Sequence, residues 1–272
     1  VIARTISSVL AQTYQNFELI IIDDGSTDDL DKEISKFSDK RILFLKLSKN
    51  KGVAAARNFG ISNSNGQAIV FLDSDDELYP EYIYKMTEKL YSNNNEIVIC
   101  RAKYNEDKIQ PNKIDLKDFL KANSKLDYLL MGNIFPLPSI LFTKQTLSNI
   151  NFDNLMKSYE DFDFILNVFK NNQDLSILND VLIKINDSPK SLNKNIPDIY
   201  SALKIIQAKH EATLKNNKVT NFYFKKNILS ICNKYMRFNE KISVIYYLIS
   251  NREFLSYSFS FIQRIFFRSK KI

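Results

Sequence analysis

FELIIIDDGS, spanning Phe17–Ser26, is an apolar run, broken by Glu18 alone, that ends in two carboxylates, a glycine and a serine. A short apolar run closed by turn-forming residues reads as a buried strand entering a turn. On its N-terminal side, Val1–Leu10 places apolar residues at Val1, Ile2, Ile6, Val9 and Leu10, which is helical spacing. On its C-terminal side, Asp29–Phe37 reads as a short helix and Arg41–Leu47 (RILFLKL) as a second strand. Gly52–Ser64 follows as a helix with small residues along one side, suited to lying close against a sheet. Gln67–Leu72 (QAIVFL) is a third strand and stops at Asp73-Ser74-Asp75-Asp76. Pro80, favoured in a first helical turn, opens a helix through about Tyr91, and Glu96–Tyr104 is a fourth strand. This alternation predicts an α/β fold built on a mainly parallel sheet flanked by helices.

The next stretch, from residue 105 to about 135, is polar and poorly periodic. Pro136–Phe142 reads as a strand, Tyr159–Lys170 as an amphipathic helix with an acidic first turn, and Leu175–Ile185 as a mixed strand region. Beyond Pro189 and Pro197 the pattern is helical to the end. A boundary near 195 therefore separates a domain at 1–195 from a helical extension at 196–272. The first residues have no initiator Met and already read as helix, so the true start is expected upstream.

Composition narrows the chemistry. The 272 residues are 44% hydrophobic and 25% charged, an ordinary globular balance with ample material for a core. Five glycines and six prolines argue against a turn-rich all-β fold. Cys100 and Cys232 stand far apart, which excludes a disulfide framework and a four-cysteine zinc site and fits a reducing, cytoplasmic compartment. His210 is the one histidine, so a multi-histidine metal site is excluded and oxygen ligands must dominate. That favours Mg²⁺ or Mn²⁺ over zinc. His210 itself, in the helical tail, reads as an ordinary surface or interface residue.

Two strands end in acidic clusters, at Asp23-Asp24 and at Asp73–Asp76. In an open parallel sheet, ligands bind beyond the carboxyl ends of the strands, so both clusters are expected to face one crevice. Carboxylates converging there repel one another unless a cation or hydrogen-bond donors join them. A divalent metal bridging phosphate oxygens is the simple resolution. The plainer alternative is that Asp and Ser only make turns after strands.

QTYQNFELIIIDDGSTD (Gln12–Asp28), NKGVAAARNFGI (Asn50–Ile61) and NGQAIVFLDSDDELYP (Asn65–Pro80) together resemble the nucleotide-sugar-binding half of glycosyltransferase family 2, with the GT-A fold. The resemblance is dense to about residue 90, returns at Tyr159-Glu160-Asp161 and stops near 195, and it implies that the family's first strand precedes residue 1. It implies an inverting, metal-dependent transferase that moves a sugar from a nucleotide-sugar donor, UDP-linked by expectation, to a glycan or lipid-linked acceptor in cell-surface polysaccharide synthesis. On this resemblance Asp24 contacts the base, Asp23 fixes the turn, and Arg57 lies near the nucleotide and diphosphate. Asp73 and Asp75 match the D-x-D signature, with Asp75 the metal ligand and Asp73 on the ribose or reaching the metal through water. Asp76 is read as a helix cap before Pro80. Asp161 is the implied general base, and Glu160 a weaker acceptor contact. A helix N-terminus favours the charged carboxylate, so Asp161 is expected to titrate near its ordinary value. Relatives often carry a histidine after this helix, and Lys184–Asn193 has none. The competing readings are a non-catalytic partner that holds a glycan or lipid, and a nucleotidyltransferase that would release pyrophosphate.

Charge is uneven. Residues 201–272 hold 14 Lys/Arg against 3 Asp/Glu, a net +11, while the rest holds 24 against 28, a net −4. Aromatics are interleaved with the basic residues in NFYFKKNIL, KYMRF and FSFIQRIFFRSKK. The segment reads either as a bundle with a solvated basic face or as a peripheral contact with anionic membrane on the cytoplasmic side. No nucleic-acid module is recognisable, and no nucleic-acid partner is expected.

Overall fold

A computed structural model describes residues 1–92, 94–104, 108–110, 116–132, 135–170, 174–186, 195–233 and 236–250. The chain divides into two units. The first comprises Val1–Lys125, Ile134–Leu155 and Glu160–Ser191, and the second Leu126–Asn133, Met156–Tyr159 and Leu192–Ile272.

In the first unit, α1 (Ile2–Leu10) precedes β1 (Leu19–Asp23), the strand read from FELIII. Then come α2 (Leu30–Ile34), β2 (Ile42–Lys46), α3 (Val53–Asn63), β3 (Ala68–Ile69), β4 (Glu77–Leu78) and α4 (Tyr82–Ser92). After these run β5 (Ile97–Tyr104), β6 (Lys108–Gln110), α5 (Leu116–Lys121) and, crossing into the second unit, α6 (Lys125–Leu130). The first unit closes with β7 (Ile140–Thr143), α7 (Glu160–Val168) and β8 (Leu175–Ile185).

Strands β1 and β2 pair in parallel, from Leu19 opposite Ile42 to Asp23 opposite Lys46, as the pattern predicted for these two. The main sheet does not follow the expectation. Among the described residues its order is β3-β7-β5-β8-β4, with β6 on β5, and only β5 with β8 is parallel. The pairings β3–β7, β5–β7, β4–β8 and β5–β6 are antiparallel. The mainly parallel sheet is thus corrected to a mixed, mostly antiparallel one. The physical reason lies in β7. Ile140, Leu141 and Phe142 are all buried, and β7 sits between β3 and β5, running against both. A strand covered on both faces reads as a continuous apolar run whichever way it points, so hydrophobic pattern alone carries no direction. QAIVFL also forms far less ladder than its length suggests, since only Ala68 and Ile69 pair.

Two buried clusters anchor this unit. Ile6 of α1 packs with Ile21 of β1 and Ile34 of α2. Val9 of α1 belongs to a larger cluster with Leu78, Val98, Leu141, Ile183 and the α4 residues Tyr82, Met86 and Leu90. Those three lie at i, i+4 and i+8 and are at most 1% exposed, so one face of α4 is wholly core. The Tyr82 hydroxyl donates to the Pro138 carbonyl at 3.0 Å, which satisfies the one polar atom that face buries.

In the second unit, α8 (Ile196–Lys209), α9 (Glu211–Asn216), α10 (Lys218–Cys232) and α11 (Phe238–Ser250) follow α6. Helix α10 contacts α8, α9 and α11 and buries Phe222, Phe224, Ile228, Leu229 and Cys232. Of the two readings of His210, surface or interface, the surface one is corrected, because at the junction of α8 and α9 the residue is only 4% exposed. The end of the basic tail, residues 251–272, lies outside the described residues, as do most of Lys184–Asn193 and parts of the 105–135 stretch.

Candidate active site

Helix α3 organises the site. Its N-terminus receives the first acidic cluster. The Asp24 carboxylate accepts the Lys51 amide at 2.7 Å on one oxygen and the Gly52 amide at 2.8 Å on the other. Backbone N–H groups at a helix start are poor in partners and carry partial positive charge, so a carboxylate there is stabilised. Asp23 turns the chain, accepting the Ser26 amide at 2.8 Å. Although burial works to raise it, the Ser26 hydrogen bonds and nearby Lys46 hold the Asp23 carboxyl below its usual range. Gly25 is required between these elements. It adopts φ +77°, and a Cβ there would meet the Asn50 nitrogen at 2.8 Å.

Five residues beyond Gly52 on α3, Arg57 joins the second cluster to the acidic helix start. One guanidinium nitrogen lies 2.8 Å from Asp73 and another 2.8 Å from Glu160, and the side chain is only 13% exposed. The guanidinium also stands over the Phe152 ring, 5.3 Å from its centroid, and Phe152 stacks on Phe164 of α7 at 3.9 Å. Asn58 fixes that segment by bonding both backbone groups of Phe152, each at 2.9 Å. Burial works against the Arg57 charge, yet Asp73, Glu160 and Asp161 together hold it above its ordinary value.

The Asp73–Asp76 loop is held from two sides. The Thr5 hydroxyl of α1 donates to the Ser74 carbonyl at 2.9 Å, and Arg4 donates to the Asp75 carbonyl at 3.1 Å. Asn186, just past β8, donates its side-chain amide to the Asp75 carbonyl at 2.8 Å. The Asn186 backbone amide goes to the Asp76 carboxylate at 2.9 Å, so Asp76 ties the loop to β8 and does not cap α4. Burial, with Asp73 and Asp75 nearby, pushes Asp76 up to about 7. Burial and Asp73 also raise Asp75. Burial thus favours the protonated form of both carboxyls, with neighbouring carboxylates adding to it.

Glu160 and Asp161 open α7. Glu160 is buried and paired to Arg57, while Asp161 accepts the Phe162 amide at 2.7 Å. Burial and then Glu160 push Asp161 up to about 6, against the opposing pull of Arg57. The expectation of a near-ordinary Asp161 is therefore corrected, because burial beside a second carboxylate outweighs the helix terminus.

Among the predicted residues, Arg57, Asp73, Glu160 and Asp161 come together, Asp75 follows two positions beyond Asp73, and Asp24 sits at the start of α3. Sequence reasoning missed Arg4, Thr5, Asn58, Phe152 and Asn186, whose roles depend on partners 69 to 111 residues away. Asn58 alone left a local hint, directly following Arg57. Among the described residues no three His, Cys, Asp or Glu side chains gather as a metal cage. Two neighbouring carboxylates still suit a hard cation that takes its remaining ligands from water and phosphate.

Comparison with known proteins yields one family and a consistent fold. The model described as "Glycosyl transferase family 2" matches residues 1–144. An uncharacterized glycosyltransferase of Haemophilus influenzae is 36% identical over 169 residues, 61% of this chain and 65% of that protein. An Escherichia coli protein named UDP-Glc:alpha-D-GlcNAc-diphosphoundecaprenol beta-1,3-glucosyltransferase WfaP is 49% identical over 75 residues, 28% of this chain and 30% of its own. The chain thus spans less than two thirds of each of these relatives. Staphylococcus aureus TarS 1–349 in complex with UDP-GlcNAc superposes with a TM-score of 0.68 at 19% identity, covering 97% of this chain and 77% of that one. The Pyrobaculum calidifontis mannosyltransferase PcManGT, in complex with GDP-Man and Mn²⁺, gives 0.56 at 12% identity, covering 99% and 84%.

Proposed function

Because this chain belongs to glycosyl transferase family 2, we propose that it transfers a sugar, with inversion, from a UDP-linked donor to a hydroxyl of a glycan or lipid-linked acceptor. The observation that carries this reading is the Arg57 bridge, which ties the Asp73 loop to the start of the helix bearing Asp161. Donor-side carboxylates and a candidate base are thereby held on one framework. The donor reading is supported by the UDP-glucose named for the Escherichia coli relative and the UDP-GlcNAc bound by TarS.

In this mechanism Asp24 accepts the uracil N–H, for which a carboxylate oxygen keeps a free lone pair beside its backbone bonds. Asp73 contacts the ribose. Asp75 would hold Mn²⁺ or Mg²⁺, which when bound supplies Lewis-acid stabilisation of the departing diphosphate. Asp161 takes the proton from the acceptor hydroxyl as its oxygen attacks the anomeric carbon, opposite the leaving group. No covalent intermediate with the protein forms, and the anomeric configuration inverts in one step. Glu160, paired to Arg57, keeps the end of α7 in place and borders the acceptor. A lipid-linked acceptor would hold the enzyme against the cytoplasmic face of an anionic membrane. No described helix is long and apolar enough to cross one.

The test is incubation with UDP-glucose or UDP-GlcNAc and diphosphoundecaprenol-linked saccharides, with UDP release followed with Mn²⁺ and with EDTA. Acceptor-dependent release that EDTA stops is the expected result. Release of pyrophosphate from nucleoside triphosphates would favour a nucleotidyltransferase, and silence towards every donor and acceptor would leave the non-catalytic partner.

A further inference from the structure

Helix α11 is apolar on a side that no described residue covers. Phe238, Ile242, Tyr246 and Ile249 are 77%, 49%, 72% and 48% exposed. At 100° per residue they fall within about 80° of arc, a single stripe. Leu248, wholly buried, lies away from that stripe and anchors the helix to its bundle. On one flank of the stripe the next positions around the helix are polar. Asn239, Glu240 and Ser243 line a cleft of about 260 Å³ with Tyr200 and Lys204 of α8 and Lys225 of α10. The cleft holds two ammonium groups and one carboxylate, with Glu240 3.9 Å from Lys204. Lys225 makes no ion pair to a carboxylate among the described residues, and its ammonium lies 3.9 Å from the Tyr247 ring. A basic cleft therefore borders an exposed apolar and aromatic stripe.

We propose that this face of α11 is the membrane-docking surface of the chain. The stripe rests at the boundary of headgroups and acyl chains in an anionic phospholipid bilayer, and the Lys204–Lys225 cleft takes a lipid phosphate. Charge selects this occupant over a second copy of the chain or an apolar protein groove. Residues 201–272 carry 14 Lys/Arg against 3 Asp/Glu, which would repel another copy and be attracted to anionic lipid. The 13 described residues of α11 extend roughly 20 Å, enough to lie along the interface. An apolar stripe with aromatics beside a basic polar row is the pattern of interfacial helices. The inference deepens the membrane contact of the proposed function by naming the surface that makes it, and it is tested without donor or acceptor.

The experiment is flotation of the full chain with phosphatidylcholine vesicles, with and without phosphatidylglycerol. Wild type is expected to float only with the anionic vesicles, and less as salt rises. Ile242→Asp with Tyr246→Asp should lower partitioning by at least about tenfold, because both side chains would carry charge into the apolar boundary. Phe238→Ser, at the most exposed stripe position, should lower it in the same direction if the double variant fails to fold. Lys204→Gln with Lys225→Gln should cost about fivefold per lysine at low salt. Wild-type flotation of folded stripe and lysine variants would overturn the proposal. If only neutralising Arg264, Arg268, Lys270 and Lys271 abolished binding, membrane contact would stand and its assignment to α11 would fall. If wild type bound no vesicle, both would fall together.

Discussion

Asp161→Asn is expected to remove sugar transfer almost entirely while leaving UDP affinity unchanged. Asparagine keeps the shape and can still accept the Phe162 amide that Asp161 accepts at 2.7 Å, so α7 should start as before. What it cannot do is take a proton. A positioned general base contributes roughly 10²- to 10⁴-fold, and kcat should fall within that range. The wild-type pH profile should carry the same residue's signature. The folded value of about 6 is raised by burial and then by Glu160, and the active form is the carboxylate. Rate should therefore hold above pH 7 and fall as pH drops through about 6, with roughly one tenth of sites charged at pH 5. An acid limb near 4 would contradict the buried environment assigned to Asp161. Equal loss of UDP affinity in the Asn variant would contradict its separation from donor binding.

Arg57→Ala is expected to lower stability by about 3 kcal/mol and donor affinity with it. Removing one partner of a buried pair leaves the other charge uncompensated, which costs more than the pair itself contributes. Glu160 bears that loss, since its side chain is 11% exposed, whereas Asp73 at 48% can turn to water. With only one of the two carboxylates held from water, the loss falls at the lower end of the range for buried pairs. Arg57→Lys should recover only part of it, because one ammonium cannot reproduce a fork that meets two carboxylates with separate nitrogens. The acid limb of any residual activity should also move upward, because Arg57 favours the charged form of Asp161. Urea midpoints read the stability, and the pH profile distinguishes this bridge from simple packing. An unchanged midpoint with unchanged UDP binding would make the bridge incidental.

Much of the first unit was legible because its signals are local. FELIII became β1 and its acidic turn formed as read, since a buried strand and an Asp-Gly turn are encoded in adjacent residues. Strand direction in the main sheet was not legible. Ile140-Leu141-Phe142 is buried whichever way β7 runs, and only its partners β3 and β5 reveal the orientation. The candidate residues were nameable from spacing and resemblance, but their couplings were not. Nothing local shows that Arg57 meets Glu160 across 103 positions, or that Asp76 turns inward to the Asn186 amide across 110. Burial has the same character. His210 reads as a polar residue in a basic tail and proves enclosed, and Asp161 reads as a helix-start carboxylate and titrates near 6, because neighbours distant in sequence desolvate it.

Whether α3 organises a metal-dependent UDP site is decided by calorimetric titration of UDP into the chain. Saturable binding in Mn²⁺ that vanishes in EDTA, and that vanishes in Asp75→Ala while persisting in Asp161→Asn, is the predicted result. Absence of binding to UDP, GDP and CDP alike, with Mn²⁺ present, would contradict it.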